Sequence, residues 1–179
     1  MIPDCPWMVF LPYTPRSDSV ERGYEQWLIE VDNPFFNAIA PIAHYGNWAV
    51  AQVLAGDPGF THFDFMRFAS EDDIARAWND PDLLAFASGW VDQWGVEPDS
   101  PDPSVNYHAY VARRISGAPG PDEGNLYLAL EPEATTTSDE LWEISRPIVG
   151  TPICHRFAIR RGTSPSAPIM VAGRLIAAP

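Results

Sequence analysis

The most constraining feature of this chain is the order in which two hydrophobic periods follow one another. Residues 7–13 carry the apolar run of a strand, closed by Pro12 and Pro15. From residue 20 the apolar positions Val20, Tyr24, Trp27, Leu28 and Val31 fall at helical spacing, with Asp18 and Glu21 as a capping pair. Asn33-Pro34 should interrupt this helix, because a residue before proline avoids the α region. Residues 44–54 and 60–69 predict two strands joined through the turn sequence AGDPG, hence a hairpin. Ser70, with Asp73 three residues on, opens a second helix, which restarts at Asp80-Pro81 and carries Leu84, Ala87, Val91 and Trp94. A proline-rich connection follows, and residues 106–115 predict a fourth strand.

Strand, helix, strand, strand, helix, strand is the split βαβ order, so an α+β, ferredoxin-like unit is expected over residues 1–116. Residues 117–124 predict a linker. Residues 125–179 begin the same order again: a strand at 125–132, a short helix opened by a Thr137/Glu140 capping box and carrying Leu141, Ile144 and Ile148, then strands at 152–161 and 169–177. Three local matches suggest duplication with a shortened second copy. Glu25 to Trp27 answers Glu140 to Trp142, Pro41 to His44 answers Pro152 to His155, and Arg67 answers Arg174.

Composition narrows the function classes. A net charge of −13 repels phosphate backbones and anionic lipid heads, so neither nucleic acid nor a membrane is an expected partner. The two cysteines, Cys5 and Cys154, lack metal-ligand spacing. The N-terminus lacks a signal-peptide pattern and no run approaches a membrane span, so the cytoplasm is the expected compartment. No phosphate-binding glycine loop or serine-nucleophile elbow is present, and no cofactor is expected. With 7 Trp, 9 Phe and 6 Tyr, the chain can build an aromatic core or an aromatic pocket.

Residues 24–50 carry a resemblance. Trp27, Glu30, Asp32 and Pro34, followed by an apolar stretch into a strand, resemble the corresponding stretch of EthD-like and RedY-like members of the dimeric α+β barrel superfamily. Where EthD-like members often carry His, this chain has Asp32, as RedY-like proteins tend to. The resemblance implies a fused tandem of two ferredoxin-like units around an apolar cavity, with a homodimer left open. It also implies a choice of chemistries: cofactor-free monooxygenases, polyketide cyclases, isomerases of ring-cleavage dienoates, haem-binding enzymes and proteins without activity.

The candidate residues are those able to move a proton. His44, His62 and His108 fall on three predicted strands of the first half, and imidazole is suited to acid–base work near neutrality. Asp32 ends the first helix, where the helix dipole disfavours a carboxylate, so function or simple exposure must account for it. Trp48 shares a strand face with His44, Asn47 takes the opposite face, and Tyr107 and Tyr110 flank His108. Arg67 is an interior strand cation that would hold a substrate carboxylate or pair with a helix acid, and His155 is the candidate of the second half. His62 and Asp64 share a face, with a solvent-facing polar pair as the favoured reading. No metal site is expected. The expected activity is a cofactor-free cis–trans or keto–enol isomerase acting on a small unsaturated acid or ketone, for example an aromatic ring-cleavage product. A cyclase, a cofactor-free monooxygenase and a non-catalytic binding protein are the alternatives.

Overall fold

The computed structural model describes residues 2–97, 105–120, 125–132, 140–161 and 167–179. Its elements are β1 (Trp7–Tyr13), α1 (Tyr24–Trp27), a π turn (Leu28–Asp32), α2 (Asn33–Ala38), β2 (His44–Ala55), β3 (His62–Phe68), α3 (Glu71–Ala77), α4 (Pro81–Trp90) and a second π turn (Val91–Gly95). Then come β4 (Ala109–Ser116), β5 (Asn125–Leu130), β6 (Glu140–Val149), β7 (Arg156–Arg160) and β8 (Ile169–Ala177). All strand pairs are antiparallel, and the sheet closes in the circular order β1-β3-β2-β8-β5-β7-β6-β4.

This corrects the ferredoxin-like α+β expectation and, with it, the implied dimeric α+β barrel of EthD-like or RedY-like type. The molecule is mostly β, a closed eight-stranded barrel, and among the described residues its short helices all lie before β4. Closure takes place within one chain, through β2 with β8 and β4 with β6. The second half shows why the prediction failed. Glu140–Val149, expected to be helical, is a strand, and the proposed cap Thr137 lies outside the described residues. Leu141, Ile144 and Ile148 fit helical spacing, but Glu140, Trp142 and Ile144 fit period two equally well. Two flanking strands supply hydrogen-bond partners, and Pro147 sits beside a register shift, where a missing N–H is tolerated.

The pairing order of the first four strands, β4-β1-β3-β2, recurs among the last four as β8-β5-β7-β6. The residue matches do not follow it. Glu25 to Trp27 begin in α1 and Glu140 to Trp142 in β6; His44 opens β2, whereas His155 precedes β7; Arg67 is on β3 and Arg174 on β8. The three matches therefore do not mark equivalent positions in the two sets of strands.

The barrel interior is a packed core. Met8, Phe10, Phe65, Leu128, Trp142 and Phe157 are among the side chains that fill it, and the Phe10 and Phe157 rings lie 4.7 Å apart. An eight-stranded barrel is just wide enough for side chains to fill, and these side chains fill it. Gly173 permits this filling, because a Cβ there would stand 2.6 Å from Phe63 Cζ. A second core covers the outer face of the first-half strands. Val9, Leu11, Tyr45, Met66 and Val111 point outward and meet Ile74, Ala77 and Leu83 of the helices.

The helices start where the sequence caps them. The Ser70 side chain accepts from Asp73 N, and Asp80 accepts from Asp82 N and Leu83 N with Pro81 in the first turn. The first helix departs from expectation. Val20 is exposed in a turn and Asp18 bonds Arg16 at 2.9 Å rather than capping. Asn33-Pro34 does not end the helix. Pro34 lacks the N–H needed at that turn, and the chain widens there instead of stopping: the Asn33 N–H reaches back to Leu28 O, a π-type bond. A three-ring clasp ties α4 to this segment, with Phe86 stacked 4.0 Å from Phe35 and 5.7 Å from Trp27. Phe86→Ala is expected to cost about 1–2 kcal/mol, because the ring is only half-buried, and to speed amide exchange in α4 above that in β1. Hydrogen-exchange mass spectrometry measures both regions at once.

Candidate functional site

The cavity lies outside the barrel, between the outward face of β1–β3 and the helices. Its volume is about 450 Å³. Leu11, Met66, Leu83 and Ile148 supply apolar walls, and Phe36, Trp78, Trp90 and Tyr107 supply aromatic ones. Leu84, Ser88 and Val149 are exposed and form its rim. At the polar end stand Asp32, Tyr45, Asp64, Tyr13 and Tyr24.

The chain converges there for identifiable reasons. The π turn ends on Asp32 and leaves it only 3% exposed. Tyr45 and Asn47 are two apart on β2 and share its outward face, while Asp64 on β3 lies directly opposite Asn47. An amide chain fixes the orientation. Tyr45 N donates to Asn37 Oδ1 at 2.9 Å, Asn37 Nδ2 donates to Asn33 Oδ1 at 3.0 Å, and Asn33 Nδ2 donates to Asn47 Oδ1 at 2.8 Å. Asn47 Nδ2 therefore points at Asp32 Oδ2, 3.0 Å away, and at Tyr45 Oη, also 3.0 Å away.

Tyr45 Oη lies 2.9 Å from Asp32 Oδ2 and 2.7 Å from Asp64 Oδ2. A phenol has one proton and can donate to only one of them. The other short O···O contact needs a proton on a carboxyl. The cluster therefore holds one more proton than two carboxylates and a phenol would carry, and Asp32 and Asp64 share it through Tyr45. Burial drives both carboxyls upward. Asp32 rises to about 7, restrained by hydrogen bonds from Asn47 and Tyr45. Asp64 rises well above the carboxylate range through burial and then through the charge of Asp32. Tyr13 donates to Asp64 Oδ1 at 3.3 Å, and Trp90 Nε1 donates to Tyr24 Oη at 2.9 Å. Burial also raises Tyr13, Tyr24 and Tyr45, which stay protonated.

Of the residues singled out in the sequence, Asp32 and Tyr107 line this cavity and Asn47 holds Asp32. His62 stacks behind the wall, its ring 5.6 Å from Tyr13 and 5.5 Å from Tyr24, and burial lowers it to about 4, so it stays neutral. His44 lies on the inward side of β2 with Trp48, beside Gly46. Arg67 points into the barrel and grips Glu140 at 2.8 and 3.1 Å. Tyr110 is also interior and donates to Thr151 O at 2.7 Å. His108 packs over Gly150, 5.9 Å from the Tyr110 ring. His155 is exposed and its Nδ1 meets Glu131 at 3.0 Å. The three first-half histidines thus do not converge on one cavity. Gly150 has φ +75° and would drive a Cβ into the His108 ring, so Gly150→Ala is expected to lower stability by about 1–3 kcal/mol in urea unfolding.

Asp64, Tyr45, Tyr13 and Tyr24 are the site residues that the sequence reading missed. Asp64, favoured from its position beside His62 to face solvent, is only 4% exposed. The available signal was the pair of period-two dyads, Tyr45/Asn47 and His62/Asp64, on adjacent strands. Among the described residues no group of three His, Cys, Asp or Glu side chains is placed to hold a metal. None of their helices is long and apolar enough to cross a membrane.

Compared with known proteins, the chain matches no family model, no curated protein and no solved structure. The resemblance to EthD-like and RedY-like proteins finds no support there.

Proposed function

We propose that the cavity binds a small unsaturated carbonyl compound and isomerises it by proton transfer through an enol or enolate, without a cofactor. The observation that carries this reading is the Tyr45 hydroxyl bridging Asp32 and Asp64, at 2.9 and 2.7 Å, at the polar end of an apolar aromatic cavity. Such chemistry needs a base near neutrality and a hydrogen-bond donor aimed at the developing oxyanion.

The roles divide by environment. Asp64 is the carboxyl raised further, by burial and by the charge of Asp32, so it keeps the proton and gives it in a hydrogen bond to Tyr45 Oη, while its other oxygen accepts from Tyr13. Tyr45 then turns its own proton from Asp32 to the substrate carbonyl oxygen. Asp32, released from Tyr45 and steadied by Asn47, removes a proton from the carbon beside the carbonyl. The C–H electron pair moves into the enolate and onto oxygen. Asp32 returns the proton to the far carbon of the conjugated system, which restores the carbonyl and leaves the enzyme unchanged. In this reading carboxyls carry out the proton transfer expected of His44, His62 and His108.

Solvent deuterium exchange tests this. Conjugated cyclic ketones incubated in deuterium oxide with the protein should gain deuterium beside or conjugated to the carbonyl, as followed by proton NMR. Exchange no faster than in buffer, with ketones that do bind, would falsify the reading.

A further inference from the structure

We infer that the ligand of this cavity is an uncharged, flat carbonyl compound and that carboxylic acids are excluded from it, an inference that rests on the enolisation reading and settles a choice the sequence leaves open. The walls carry the argument. Among the described residues, no Arg or His lines the cavity, and the sequence contains no Lys at all. The strand cation suited to a substrate carboxylate, Arg67, is on the other face of β3, inside the barrel, where Glu140 takes both of its forks. Arg174, the cation beside α1, is on the surface with Glu25. A carboxylate entering past Leu84, Ser88 and Val149 would lose its water among apolar walls. It would then meet Asp32 and Asp64, which carry one negative charge between them even with the shared proton in place. Burying an unpaired charge is among the most costly events in a protein interior.

A neutral carbonyl meets the opposite situation. Tyr45 can turn its proton to the ligand oxygen, and Tyr13, Tyr24, Trp78, Trp90 and Tyr107 surround a flat conjugated body with aromatic surface. A volume near 450 Å³ lies in the range of sites for small organic ligands.

Three probes of one shape test the ligand class: naphthol as an enol mimic, methyl naphthoate as a neutral ester, and naphthoate as the acid. Trp78 and Trp90 line the cavity, so quenching of tryptophan fluorescence reports occupancy at neutral pH. Naphthol and the ester should bind at least about a hundredfold more tightly than naphthoate. Naphthoate binding as tightly as the neutral probes overturns the inference, and so does failure of both neutral probes to quench. The outcome is separable from turnover. Neutral probes that bind, with no ketone gaining deuterium, would sink enolisation and leave the ligand class standing. Ketone exchange combined with tight naphthoate binding would do the reverse.

Discussion

Asp32→Asn is expected to lower kcat for the exchange or isomerisation of a bound ketone by about 100- to 10,000-fold, the usual contribution of a general base. Asn keeps the shape and can still accept from Asn47, so KM should change little and the barrel should remain folded. Stability gives a second readout, independent of any substrate. In the folded chain Asp32 holds its proton up to about 7, whereas an unfolded Asp ionises near its ordinary value of 3.8. Between those values the unfolded chain binds fewer protons than the folded one, so wild-type stability falls as pH rises through this window. Below it both states are protonated and this contribution is constant. Asp64, raised further, extends the decline toward alkaline pH. Asp32→Asn removes a titrating member of the pair. Its stability curve should be flatter, and at mildly alkaline pH it should exceed wild type by on the order of 2 kcal/mol. Urea unfolding across the pH range measures this. A variant that loses activity but becomes less stable than wild type at alkaline pH would mean that Asp32 is a structural carboxylate.

The largest expected loss of stability comes from the barrel interior. Arg67 and Glu140 are each 1% exposed, and Arg67 places both terminal nitrogens on the carboxylate while lying 5.4 Å over the Trp142 ring. Arg67→Met leaves Glu140 buried with Arg161, 3.3 Å away, as the cation among the described residues that meets its charge. Such a broken buried pair typically costs about 3–5 kcal/mol, and Arg161 should hold the loss near the lower end, about 3 kcal/mol. Arg67→Met with Glu140→Gln removes both charges and should regain most of it, because a buried pair yields little net stability over neutral groups of similar size. Ligand binding in the outer cavity should be unchanged in both variants that fold. If naphthol affinity falls tenfold or more in the double variant, Arg67 does communicate with the cavity and its purely structural placement is wrong.

Most of the strands were legible in the sequence. The segments at 7–13, 44–54, 125–132 and 169–177 were anticipated to within one or two residues, because period two and turn residues are local properties. The Ser70 and Asp80 caps were legible for the same reason. The strand at 140–149 was not. Its apolar residues satisfy two periods, and only pairing with β4 and β7 selects one. The π turn was also illegible. Asn33-Pro34 signals a break, and packing against β2 is what lets the helix carry on with a widened turn.

The site was half legible, and register explains the division. The sequence offered Asp32, Asn47 and Tyr107 as candidates but gave no way to join them. A hairpin symmetric about Asp57 would set Asn47 opposite Arg67, a cation. In the structure Asn47 lies opposite Asp64, and Arg67 lies opposite His44. Residue chemistry is carried by the sequence at each position: the acidic surface, the aromatic wealth, the caps and the alternating faces of the strands. Which side chains meet across strands depends on where each strand stops sliding. Burial over the whole barrel sets that stop, and a shift by an odd number of residues exchanges the two faces. The same closure sent Arg67 and Trp48 into the barrel with the core, and Asp64 and Tyr45 outward to meet Asp32.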